Sequence, residues 1–174
     1  MRWTFTTVAA AVSVLVDSSV DHLCTSAANG NPPNAPVRPF TTLEHLGPET
    51  DAMPELPPWT SGWISSPDVR RAGGRYVRWS AAPDVHDVLD TGQPAKCLGV
   101  AVARVPLGPF VAKPKPVLCG QRGAIDPRTF VAPDGQLWLD RKADVNAGSG
   151  PAQNPSLAAG HPTTRWASDR RRTT

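Results

Sequence analysis

The groups in this sequence able to do chemistry are few and scattered. Asp126 is the best placed of them. It stands between Ile125 and Pro127 at the start of a strand-like run, where a carboxylate either faces a cleft or closes an Asx turn ahead of the proline. Asp68 follows Pro67 in a similar setting and either lines a cleft or caps a turn. The only glutamates are Glu44, Glu49 and Glu55, all upstream of Asp126. Cys24, Cys97 and Cys119 show no C-x-x-C spacing and no histidine at zinc spacing, so no metal site is expected. One disulfide with a spare thiol and three buried thiols both fit these three cysteines. His22, His45, His86 and His161 are dispersed, and there is no phosphate-cradling glycine loop, no G-x-S-x-G and no H-E-x-x-H. No cofactor is implied.

The elements that must position these groups are strands. Twenty prolines in 174 residues recur through most of the chain and disfavour helix interiors. Arg75 to Ser80 alternates polar and apolar residues after Gly73-Gly74, a hairpin turn, and Pro67 to Arg71 reads as the partner strand. Leu98 to Arg104 is an apolar strand. Ile125 to Val131 and Gln136 to Lys142 flank a tight turn at Pro133-Asp134-Gly135. Short strands at near-regular spacing predict an all-β antiparallel meander: a sandwich, a barrel or a propeller. Residues 1–28 read either as a signal-like segment, from the apolar run ending at Val16, or as degenerate strands. Residues 148–174 are rich in Gly, Ser, Pro, Thr and Arg and predict a disordered tail.

Composition narrows the classes further. There is no glycine repeat, no heptad run and no second apolar stretch near 18 residues, which excludes a collagen, a coiled coil and a polytopic membrane protein. The formal charge of +3 is carried by the end of the chain, where Arg165 and Arg170 to Arg172 stand against Asp169. The first 164 residues sum to zero. A nucleic-acid partner would rest on that tail alone, so none is expected.

Three segments in order resemble glycoside hydrolase family 43. They are Asp51 to Trp59 with Trp63 and Ser66-Pro67-Asp68-Val69; Leu98 to Ala101 with Pro106 to Phe110; and Gly123 to Pro127 with Thr129 to Val131, Asp134-Gly135 and Lys142. The resemblance covers residues 29–147. It implies a five-bladed β-propeller, of which this chain supplies about two to three blades, and inverting hydrolysis of arabinose- and xylose-containing polysaccharides. Inversion uses one carboxylate to activate water and one protonated carboxyl to donate to the leaving oxygen. The family adds a third, which tunes the acid. Asp126 matches this tuning position. Ala11 stands where the general base is expected, and no Glu follows Asp126 to serve as the acid. The W-A-P-D-V segment reads Ser65 to Val69 and lacks its aromatic residue, and the T-D-L-V-x-W segment reads Thr41 to Leu46 without its Asp and Trp.

The resemblance makes Trp59, Trp63 and Asp68 candidate sugar contacts, since a loop tryptophan can offer its face to a sugar ring. Packing is the alternative for both tryptophans. Trp79 and Trp138 fall in strand patterns and are expected in the core. No residue identifies a calcium site. The resemblance implies a secreted location, with a cytoplasmic one as the alternative. Two readings follow: a hydrolase-type chain that is inactive alone, and a non-catalytic carbohydrate-binding remnant.

Overall fold

A computed structural model describes residues 12–16, 21–25, 32–42, 44–133, 137–144 and 164–165. Among these the chain is all strand, and no helix is long and apolar enough to cross a membrane. Three antiparallel sheets follow one another along the sequence.

The first sheet runs β1 (Val12–Val16), β2 (Asp21–Thr25), β3 (Pro36–Thr42) and β4 (His45–Leu46), with β5 (Thr50–Asp51) also on β3. Both early strands fall in the segment for which a signal-like run was the other reading. Ala11, the position of the expected base, lies outside the described residues. The loop into β3 is fixed by Asp51, whose carboxylate accepts from the backbone N–H of Asn34, Ala35 and Met53 at 2.8–3.0 Å.

The middle sheet holds β6 (Ser65–Ala72), β7 (Arg75–Val88) and β8 (Pro94–Ala103), with β9 (Val111–Ala112) and β10 (Leu118–Cys119) both on β8. The hairpin between β6 and β7 turns through Gly73 and Gly74 at φ +57° and +74°, a conformation that suits glycine. This sheet is covered on both faces, which is why Leu98 to Ala103 reads as a nearly unbroken apolar run. Val69, Tyr76, Cys97 and Ala101 pack with Val37, Met53 and Trp59 on one side. Trp79, Ala81, Leu98 and Val100 pack with Ala124, Ile125 and Leu139 on the other. Trp79 is 1% exposed, a core residue as expected.

The third sheet is β11 (Ile125–Val131), β12 (Leu137–Lys142) and β13 (Thr164–Arg165). The short strand β13 comes from the segment read as a tail; the rest of residues 148–174 lies outside the described residues, as does most of the Pro133-Asp134-Gly135 turn. Trp138 is half-buried and stacks on Phe130, its cross-strand partner, with ring centroids 6.5 Å apart. The first strand of the middle sheet, β6, packs against the first strands of both neighbours, β1 and β11. Three successive meanders whose opening strands lie side by side form a partial β-propeller.

Cys97 and Cys119 are cross-strand partners on β8 and β10 and form a disulfide. This settles the cysteine alternatives as far as these two residues go. It ties the segment leading into β11 to the middle sheet, where the Ala124 N–H also donates to the Lys96 carbonyl at 2.6 Å.

Candidate functional site

The site lies where β6 and β11 begin. Each strand opens on an X-Pro pair, Ser66-Pro67 and Asp126-Pro127, and each carries a bulge there. The β6–β7 register shifts between Ser65 and Asp68, and the β11–β12 register shifts between Ile125 and Arg128. A bulge re-aims the side chain it carries. Ser66 and Asp126 sit at φ 51° and 53°, in the left-handed region that costs a non-glycine residue about 1–3 kcal/mol. The third such residue among those described is Trp63, at φ 58°, three positions before Ser66. Two of the three left-handed non-glycine residues described thus stand at the two strand starts, and the third lies three positions before one of them in sequence.

The side chains there meet. Ser66 Oγ donates to Asp126 Oδ1 at 2.6 Å, across 60 residues of sequence. Lys142 Nζ contacts Asp126 Oδ2 at 2.6 Å. Lys142 is the cross-strand partner of Ile125, so β12 delivers its ammonium beside Asp126 by register alone. Partial burial pushes the Asp126 carboxyl up. The hydrogen bonds from Lys142 and Ser66, with the positive charges of Lys142 and Lys96, outweigh that and hold it below its ordinary value of 3.8. The Asp126 side chain is 46% exposed, so its ionised carboxylate is open to a ligand. A turn closed by the Gly123 N–H on the Gly120 carbonyl at 2.8 Å leads into β11. Gly123 adopts φ +74°, and a Cβ there would lie 3.2 Å from the Lys96 carbonyl oxygen.

Asp68 and Trp59 make their contacts elsewhere. Asp68 turns toward the third sheet, where its carboxylate accepts from both the backbone N–H (3.0 Å) and the hydroxyl of Thr129. Arg70 Nε donates to the same hydroxyl at 3.0 Å, and its guanidinium also reaches the Thr129 carbonyl. Thr129 is 4% exposed, so this cluster clasps β6 to β11. Trp59 is 5% exposed and packs over Gly99, with no open ring face. Trp63 is 52% exposed. Nothing in the linear sequence marks Ser66 or Lys142 as a partner of Asp126. The nearest signal for Ser66 was the repeat of a residue-Pro pair at two strand starts. For Lys142 it was the strand pairing.

No metal set survives among the described residues. Asp84, Cys97 and Cys119 bring ligand atoms within 4.8 Å of one another, but the two sulfurs are bonded to each other and offer no thiolate.

Fold and site together define a partial β-propeller with a strained, polar cluster where two inner strands meet. No family model matches the chain. Its sequence is 32% identical over 82 residues to xylosidase/arabinosidase 43A of Humicola insolens, an alignment covering 47% of this chain and 22% of that protein. Its fold is similar to an endo-arabinase from Bacteroides thetaiotaomicron, with TM-score 0.62, 19% identity, and coverage of 76% of this chain and 44% of that one. It is also similar to a GH43_1 enzyme from Xanthomonas citri complexed with xylose, with TM-score 0.53, 22% identity, and coverage of 74% and 38%. The chain is therefore similar to the family-43 glycoside hydrolases, and it spans about a fifth of the curated relative and about two fifths of these solved structures.

Proposed function

We propose that this chain binds arabinose- or xylose-containing saccharides at the cluster of Ser66, Asp126 and Lys142, with the exposed Trp63 three residues before Ser66 as a further contact, and hydrolyses them negligibly by itself. The observation that carries this reading is the convergence of strain. Ser66 and Asp126, at the starts of β6 and β11, both hold unfavourable backbone and touch through an exposed, ionised carboxylate. Strained backbone clusters where ligands are held. The exposed Trp63 indole, three residues before Ser66 in sequence, offers an apolar face for a sugar ring, and the carboxylate, hydroxyl and ammonium offer acceptors and donors for its hydroxyls.

The chemistry of inversion argues against turnover by these 174 residues alone. A general acid must be protonated when substrate arrives, whereas Asp126 is held ionised by Lys142 and Ser66. No Glu follows it. Each missing acid–base group removes roughly 10²–10⁴ in rate. The Cys97–Cys119 disulfide supports an oxidising, exported location for the chain.

The test is binding and turnover measured side by side. Xylotriose and arabinotriose are titrated by calorimetry, and aryl xyloside and arabinofuranoside are assayed for release of the chromophore. Saturable binding that weakens in Trp63→Ala, with no release above the uncatalysed rate, is the expected result. Release abolished by Asp126→Ala would overturn the claim of inactivity, and absence of binding would overturn the site.

A further inference from the structure

The Asp126 carboxylate has about four lone-pair directions, and two are taken, one on each oxygen. The remaining two can accept from hydroxyls. The Lys142 ammonium spends one of its three N–H donors on Asp126, which leaves two to give. The cluster is thus bristling with hydrogen-bonding capacity while its two formal charges cancel. The other charge facing Asp126 is Lys96 on β8, itself paired with the buried Asp144 at 3.2 Å. Among the described residues, the two lysines set against the carboxylate, Lys96 on β8 and Lys142 on β12, are each matched by an opposite charge, and β6 contributes the uncharged Ser66. A residue whose task was to impose negative charge on a neighbouring acid would need that charge uncompensated. Here it is compensated at 2.6 Å.

We infer that Ser66 and Lys142 are positioning residues that fix Asp126 as an acceptor for neutral sugar hydroxyls, and that the cancelled Asp126–Lys142 charge makes the site select neutral pentose oligosaccharides over uronate-bearing ones. This deepens the proposed function and rests on it. A uronate carboxylate brought to this site meets Asp126 at close range and finds the Lys142 charge already spent. A neutral pentose can give protons to Asp126 and accept them from Lys142, with no net charge buried.

The test compares xylotriose with trigalacturonate on the full chain. The wild type binds xylotriose at least tenfold more tightly. Asp126→Asn removes the negative charge and leaves the Lys142 ammonium unmatched, so the ratio moves toward trigalacturonate by tenfold or more. Lys142→Met weakens xylotriose binding by about tenfold, and Lys142→Arg, which restores the charge, recovers most of it. A second readout needs no ligand. The ¹³C resonance of the Asp126 carboxyl, followed against pH, titrates higher in Lys142→Met than in the wild type and returns in Lys142→Arg. A merely structural lysine would not move it. If the wild type binds neither saccharide, the proposed function fails, and the titration alone then upholds or refutes the positioning role. An unchanged ratio in Asp126→Asn, with xylotriose still bound, overturns the charge-selection inference.

Discussion

Replacing Asp68 with alanine separates a ligand contact from a structural clasp. In the structure the Asp68 carboxylate accepts two hydrogen bonds from Thr129, one from its backbone and one from its hydroxyl, and Thr129 is buried. A hydrogen bond to a charged group contributes about 1.5–3 kcal/mol. Removing the carboxylate costs both bonds and strands a buried N–H, for a loss of about 3–5 kcal/mol. That is a large share of the roughly 5–15 kcal/mol that holds a typical domain. At about 2–4 °C per kcal/mol for a chain of this size, the melting midpoint falls by about 10 °C. The assay is urea unfolding followed by tryptophan fluorescence, with the midpoint moving and the slope unchanged. Asp68→Asn keeps one carbonyl acceptor and loses about half as much. Combining Asp68→Ala with Thr129→Val gives less than the sum of the single losses, because the partners share one interaction. A loss under about 1 kcal/mol for Asp68→Ala, or full additivity in that cycle, would refute the clasp and return Asp68 to the candidate sugar contacts.

Other substitutions test the packing and the electrostatics. In Gly99→Ala the new Cβ would lie 2.6 Å from Trp59 Cζ2, against a rigid buried indole, so thermal unfolding registers a loss of about 1–3 kcal/mol, part of which Trp59→Phe recovers in the double variant. Cys119→Ala opens a loop with a sequence separation of 22 residues and lowers stability by about 3 kcal/mol, seen as an earlier urea midpoint that matches the wild type in reductant. The folded-state pKa of Asp126 is depressed, so its contribution to stability is present above the ordinary carboxylate range and is lost as pH falls through the lowered value. With the carboxylate nearly half exposed that contribution is under about 1 kcal/mol, and Lys142→Met removes it, leaving a flatter acid limb in stability measured from pH 6 down to pH 2.

The strands of the middle and third sheets were legible because their signals are local. Gly73-Gly74 marks the hairpin, Leu98 to Ala103 announces a strand covered on both faces, and Ile125 to Val131 alternates buried and exposed residues as a half-buried strand should. The site was legible only in part. Asp126 stood out by its neighbours in sequence, but Ser66 is 60 residues away, and Lys142 reaches the carboxylate through strand register. Neither contact has a period or a spacing that a linear reading can detect. Trp59 and Trp63 looked alike as loop tryptophans. What separates them is tertiary: the missing side chain at Gly99 opens a slot that one indole fills.

The two bulges at Ser66 and Asp126 make equivalent positions of their sheets point at each other. The backbone at each is indifferent to what the side chain does, provided it tolerates the left-handed turn ahead of proline. Such positions act as interchangeable sockets arranged around a common centre, and chemistry is written into them one residue at a time without redrawing the fold. Ser66→Asp would set two carboxylates within hydrogen-bond reach, and like charges that close must share a proton. A serine in that socket leaves Asp126 ionised beside a neutral hydroxyl, while an aspartate would set a shared proton on the same backbone.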